Sequence, residues 1–173
     1  MNIAHDIGPG KLPDLVNVIV EIPKGSQNKY EFDKEHGVLK LDRVLFSPMH
    51  YPGDYGFIPQ TLAEDGDPLD GLVLVSYPTY PLTLIQARPI GVLNMIDKGE
   101  QDEKILCVPI DDPRFKDTKD IKDINKHILA EIAHFFEVYK TLEGKKVEIK
   151  GWHDAKKAHE IIKACVERYK KEQ

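Results

Sequence analysis

The sequence predicts an α+β fold, a small antiparallel β-barrel or strongly curved sheet followed by helices. Three observations carry that expectation. Short β-branched, apolar segments fill residues 15–110, and the hydrophobic spacing turns to three- and four-residue steps only after residue 120. Strands and helices also fail to alternate as parallel βαβ units require.

The elements follow in order. Residues 15–22, "LVNVIVEI", are apolar on both faces and read as a strand buried on two sides, ended by Pro23-Lys24-Gly25-Ser26. "KYEF" (29–32) and "VLKLDRVLF" (38–46) form a hairpin around "EHG". Seven of the twelve prolines lie between Pro48 and Pro89, which excludes a long helix there. "LVLVS" (72–76) is a strand, "TLIQA" and "IGVLNMI" are two more separated by Arg88-Pro89, and "KILCVPI" (104–110) is another. A polar connector spans residues 111–120. Ile121, Ile124, Ile128, Ile132, Phe135 and Tyr139 predict an amphipathic helix of about five turns. "KVEIKGW" (146–152) closes the sheet, and a C-terminal helix carries Ala158, Ile161, Ile162, Cys165 and Tyr169, with Asp154 as N-cap.

A length of 173 residues fits one domain spanning 1–173. Apolar residues at 41% and charged residues at 31% describe a globular chain, and a net charge of −5 argues against a general nucleic-acid binder. No apolar run approaches the ~18 residues of a membrane span. Cys107 and Cys165 lack a CxxC spacing and read as buried free thiols. The N-terminus lacks the pattern of a signal peptide, so a cytoplasmic location is expected.

Function enters through misplaced charges. Strand parity puts Arg43 with Leu39, Leu41 and Leu45, Glu21 with Leu15 and Ile19, Asp97 with Leu93 and Met95, and Lys29 beside Glu31. Unpaired burial costs several kcal/mol per charge, so a charged barrel mouth reconciles them better than a core. Between two apolar segments, "EDGDPLDG" (64–71) sets Asp65, Asp67 and Asp70 around a rigid Pro68. A solvated turn is the plain alternative. An EF-hand fails, because Leu69, Asp70 and Ser76 stand where a ligand, a glycine and a glutamate belong. "DKGEQDEK" (97–104) adds Asp97, Glu100 and Asp102. Two hard-oxygen clusters suit Mg²⁺ or Mn²⁺, with Lys29, Arg43, Lys104 and Lys140 for a phosphate, and imply metal-assisted attack of water on a phosphoryl group. His127 and His134, seven apart, are read as packing or subunit-contact residues, and His50 as structural. The rivals are an OB-type nucleic-acid module, which would want aromatics interleaved with Lys and Arg, and a structural Ca²⁺ domain, which would not need the lysines.

"DGDPLDG" (65–71), "HYPGDYGFIPQT" (50–61), "VIVEIPKGSQNKYEFD" (18–33) and "AHFFEVYK" (133–140) together resemble the soluble family I inorganic pyrophosphatases of the short bacterial form. The resemblance runs from about residue 15 to Trp152. It implies an OB-like β-barrel with two flanking helices, the second C-terminal, and hydrolysis of inorganic diphosphate to two orthophosphates, which drives biosynthetic reactions that release diphosphate. It further implies Mg²⁺ as cofactor, with Mn²⁺ or Zn²⁺ as substitutes, a homohexamer, and no nucleic-acid or membrane partner. Carried over by position, Asp65, Asp70 and Asp102 hold the first metal, and Asp97 bridges or binds a further one. Glu21 and Glu31 serve the metals that arrive with substrate, and Asp67 is the general base towards a metal-activated water attacking in line. Lys29, Arg43, Tyr139 and Lys140 bind phosphate, Lys104 lies near metals and phosphates, and Tyr55 hydrogen-bonds the centre. Lys98 stands where many relatives have an acidic residue, which puts a metal contact there in doubt.

Overall fold

The computed structural model describes residues 2–172. Its strands are β1 (Val16–Ile22), β2 (Asn28–Asp33), β3 (Val38–Val44), β4 (Asp54–Phe57), β5 (Asp70–Val73), β6 (Leu84–Asp97), β7 (Glu100–Pro109) and β8 (Val147–Asp154). Its α-helices are α1 (Ile3–Asp6), α2 (Lys126–Val138) and α3 (Ala155–Glu172). The main sheet runs β1-β4-β5-β7-β6-β8, and β1 also pairs with β6, so five strands close a ring with β8 on its outside. The hairpin of β2 and β3 forms a separate ribbon. This is the expected barrel, with one difference: β5 and β7 run parallel.

Period-2 alternation divides the apolar residues between the two faces of the sheet. Leu72, Leu93, Met95 and Leu106 pack under α2 with Ile132, Phe135 and Phe136. Val73, Val92, Ile105 and Cys107 pack under α3 with Ala158, Ile162 and Cys165. Both cysteines are buried and free, as expected. At the start of α3, Asp154 accepts from Lys157 N–H at 2.9 Å, the N-cap bond that the sequence suggested.

Several boundaries differ from the sequence reading, each for a local reason. Residues 84–97 form one continuous strand through Pro89, because the register shifts between Pro89 and Gly91 and a bulge accommodates a residue with no N–H to give. The short β4 was not anticipated amid the prolines. The helix expected from Ile121 starts five residues later: Ile121–Asp123 is a 3₁₀ turn capped by Asp120, and Ile124 is extended. Ile121 fits the apolar pattern because it packs on Gly91, where an added Cβ would lie 2.0 Å from Ile121 Cγ2. Lys98 and Gly99, with φ of 52° and 85°, make the two-residue turn between β6 and β7, the positive-φ pair that a type I′ turn demands. His127 and His134 are exposed on α2 beside Glu131 (3.4 Å) and Glu137 (4.0 Å), and His50 is exposed as well, which removes the structural role expected for it.

Asp54 is fully buried at the head of β4 and ties two loops to the barrel. Its carboxylate accepts from Lys24 N–H at 2.8 Å, Thr79 N–H at 3.0 Å and the Thr79 hydroxyl at 2.6 Å. Asp54→Ala strands three donors, and we expect a loss of about 3 kcal/mol in urea unfolding, with Asp54→Asn milder.

Candidate functional site

The ring of strands opens on one side into a cavity of about 300 Å³. Its wall is assembled from the end of β1, the β2 ribbon, β4, the loop leading to β5, the β6–β7 hairpin and the residues just after α2. Seven carboxylates line it (Glu21, Glu31, Asp65, Asp67, Asp70, Asp97 and Asp102) against four lysines (Lys29, Lys34, Lys104 and Lys140). Tyr55 and Tyr139 line it too, which brings together every site residue expected from the sequence except Arg43. Arg43 does not line the cavity. It lies behind Lys29, its cross-strand partner, and bonds Glu143 at 3.0 Å and Asp42 at 2.5 Å. Its Nη2 is buried without a partner. Glu100 faces away, leaving Asp97 and Asp102 as that cluster's contribution.

Backbone register sets the central contacts. The parallel pairing of β5 and β7 puts Asp70 opposite Lys104. Lys104 Nζ is held between Asp70 Oδ2 at 2.5 Å and Asp102 Oδ1 at 2.6 Å, above the Tyr55 and Phe136 rings at 5.5 and 5.8 Å. Burial works against the charge of Lys104, yet Asp70, Tyr55 and Asp102 outweigh it and hold its pKa well above the ordinary lysine value. Lys140 pairs with Asp97, and Lys29 with Glu31 and, at 3.5 Å, Asp42. Lys34 reaches Asp67 at 3.5 Å. The acidic loop is braced within itself: Asp67 N–H donates to Asp65 Oδ1 at 3.0 Å, and the Thr61 hydroxyl accepts from Leu69 N–H at 2.9 Å.

Glu21 reaches the cavity through a bulge. Val20 pairs with Gly56 and Ile22 with Tyr55, so Glu21 is the extra residue on β1. Desolvation raises its pKa from 4.5 to about 7; Asp70 and Glu31 add to the rise, while the Phe32 N–H, donating at 2.7 Å, and Lys29 oppose it. Asp102 is also raised, first by burial and then by Asp70 and Asp97 against the pull of Lys104. Burial likewise pushes the Tyr55 and Tyr139 hydroxyls well up, so both stay protonated.

Four lysines cannot neutralise seven carboxylates, so the cavity carries a negative excess that suits cations. Among the described residues, no three His, Cys, Asp or Glu side chains converge at metal-ligand spacing, since ammonium groups sit between the carboxylates. The donor set still fits a hard divalent ion: every acidic group offers oxygen, and Asp97 Oδ1 is buried with no hydrogen-bond partner. Sequence reasoning missed Lys34, Asp42 and Glu143. Lys34 lay in an ordinary polar turn, Asp42 is a bulge between Tyr30–Leu41 and Lys29–Arg43, and Glu143 pairs with a residue 100 positions away. None left a local signal beyond its charge.

Residues 18–170 match the family described as "Inorganic pyrophosphatase". An inorganic pyrophosphatase of Halalkalibacterium halodurans is 59% identical over 158 residues, covering 91% of this chain and 97% of that protein. The crystal structure of an inorganic pyrophosphatase from Thermus thermophilus superposes with a TM-score of 0.95 at 47% identity, covering 98% of this chain and 99% of that one. An N-terminally truncated vacuolar soluble pyrophosphatase of Trypanosoma cruzi, in complex with PPi, superposes with a TM-score of 0.82 at 27% identity, covering 96% and 77%.

The raised pKa of Glu21 has a measurable consequence. An acid whose folded pKa exceeds its unfolded value weakens the fold as pH rises, here from about 4.5, with the full penalty present above about 7. With a chelator present, Glu21→Gln should be indistinguishable from the parent near pH 4.5 and more stable by ~2–3 kcal/mol above pH 7.5 in thermal unfolding.

Proposed function

The chain belongs to the inorganic pyrophosphatase family and hydrolyses inorganic diphosphate, and from that premise we propose how its own residues divide the work. The charge imbalance of seven carboxylates against four lysines carries the proposal, because a polyanion enters such a cavity only together with cations. The family uses divalent metal ions. We assign Mg²⁺, with Mn²⁺ or Zn²⁺ as alternates, to Asp65, Asp70, Asp97 and Asp102, with Glu21 and Glu31 in the outer positions. When bound, such ions lower the pKa of water and neutralise phosphoryl oxygens.

Asp67 takes the proton from the attacking water. Its side chain is 76% exposed, so it reaches solvent water, and the bond from its own N–H to Asp65 fixes its place beside a ligand. With metal ions held by the acids, Lys29, Lys104 and Lys140 would be released from their carboxylate partners to bind phosphate oxygens. The protonated hydroxyls of Tyr55 and Tyr139 donate hydrogen bonds that orient the substrate for in-line displacement. We also assign Arg43 to phosphate, which requires its fork, held by Glu143 and Asp42, to turn towards a cavity that it does not line.

Residues 1–173 are read as one pyrophosphatase domain, supported by the match over 18–170. Two buried free thiols suit a reducing compartment such as the cytoplasm. No described helix is long and apolar enough to cross a membrane. A homohexamer is supported by exposed apolar side chains, Leu41, Val44 and Phe46 among them, along and beside the β3 ribbon.

Orthophosphate release from diphosphate should require Mg²⁺ and stop with excess chelator; no release above background with Mg²⁺ would overturn the function. Asp67→Asn should keep its melting temperature and Mn²⁺ binding yet lose about 100-fold or more in kcat. A near-normal rate would remove Asp67 as the base. Sedimentation velocity should give a hexamer, and a monomer would refute that assembly.

A further inference from the structure

Residues 64–67 of the acidic loop are exposed, whereas its far end is tied to the sheet: Leu69 is buried, its carbonyl accepts from Ile58 N–H at 2.9 Å, and Asp70 pairs with Lys104. The near end of the loop, its root, is gripped by the C-terminal helix. Leu62 donates its N–H to the Cys165 carbonyl at 3.0 Å, and its carbonyl accepts from Arg168 Nη1 at 2.6 Å, so α3 holds both polar backbone groups of one residue. Arg168 Nη2 also lies 3.7 Å from Glu64, the residue immediately before Asp65. One guanidinium therefore spans the loop's backbone and its first acidic side chain. Next to the root, Gln60, with φ of 53°, is fixed from the other end of the chain: its N–H donates to Ala4 O at 2.9 Å and its side-chain amide to His5 O at 2.7 Å. His5 Nδ1 in turn lies 2.6 Å from the Tyr169 hydroxyl, beside Arg168 in sequence.

Arg168 also faces the reverse side of the site. It lines a cavity of about 270 Å³ with Glu64 and Glu103, and Glu103 sits between Asp102 and Lys104 in β7. Its charge there opposes those of Glu64 and Glu103, which otherwise add to the acidic excess in front. A planar, permanently charged fork can serve a carbonyl and a carboxylate at once, whereas an ammonium is a single point of attachment.

We propose that Arg168 is a positioning residue, holding the exposed part of the loop, which bears Asp65 and Asp67, in the geometry that a metal ligand and the base require. The proposal rests on the residue roles given above, but its structural half is testable without turnover.

The experiment compares the full-length protein with Arg168→Ala and Arg168→Lys, using Lys170→Ala, which removes only an exposed pair with Glu167, as control. Amide hydrogen exchange across residues 60–70 should speed up about tenfold or more in the alanine variant while the β6–β7 hairpin is unchanged. Mn²⁺ titrated alone by calorimetry should bind roughly three- to tenfold more weakly. In turnover, kcat should fall about fivefold or more, with the half-saturating Mg²⁺ raised and KM for diphosphate within about twofold, a split that general destabilisation would not give. Lys should restore part of each effect. Should Arg168→Ala fail to accumulate, Arg168→Gln, which keeps much of the stem, is measured in the same way. Unchanged exchange and unchanged Mn²⁺ binding would overturn the proposal, as would losses in kcat and KM that track a uniform drop in melting temperature. If the parent itself showed no Mg²⁺-dependent turnover, the functional reading would fail, while exchange and Mn²⁺ binding would still decide the role of Arg168.

Discussion

A single buried ammonium group organises the site. Lys104 lies between Asp70 and Asp102, and it can do so because β5 and β7 are parallel and in a register that sets Asp70 opposite Lys104. Removing any one member of this trio from water uncompensated would cost several kcal/mol. The packing beneath answers to it: Tyr55 and Phe136 offer their ring faces to the charge, and Phe136 docks α2 on the sheet. Just past α2, Tyr139 and Lys140 then fall at the cavity edge, where Lys140 meets Asp97. Helix position, strand register and charge balance are thus one constraint seen from three sides.

Several of the other charges in and around the cavity are placed by departures from regular strand geometry. A bulge delivers Glu21, another at Asp42 brings Arg43 opposite Lys29, and a tight turn at Lys98-Gly99 brings Asp97 and Asp102 onto neighbouring strands. Bulges re-aim single side chains without moving the sheet, which is why they suit a site beside an intact apolar core. That core has two halves, one under each long helix, so the site rests on a frame buried from both sides.

Among the described residues, Lys29, Lys34, Lys104 and Lys140 pair with five of the seven cavity carboxylates, which leaves the negative excess on Glu21 and Asp65. Lys104 holds a place between two carboxylates that a cation would take, and the paired acids hold ammonium groups that a phosphate would take. An exchange of partners between two such sets favours a ligand that brings both signs together, a polyanion with its divalent ions, over either alone.

The sequence by itself determined the class of fold, most of the elements in their order and the family chemistry, though not β4. Strand and helix periodicities are local, and so are the closely spaced aspartates of residues 65–70 and the resemblance carried by their motif. It also marked Glu21, Lys29, Arg43 and Asp97 as charges on faces that should be dry. Only the tertiary structure decided how those charges are used. Strand parity joined Arg43 to Leu39 and Leu41, but the bulge at Asp42 reset the face, leaving Leu41 exposed and Arg43 turned to Glu143. Periodicity carried a helix back to Ile121, whereas that isoleucine was apolar because it fills the space over Gly91. Bulges, register and contacts across a hundred residues depend on which strands meet, and no local pattern encodes that. It is fixed only when the ring closes and every buried charge must find its partner.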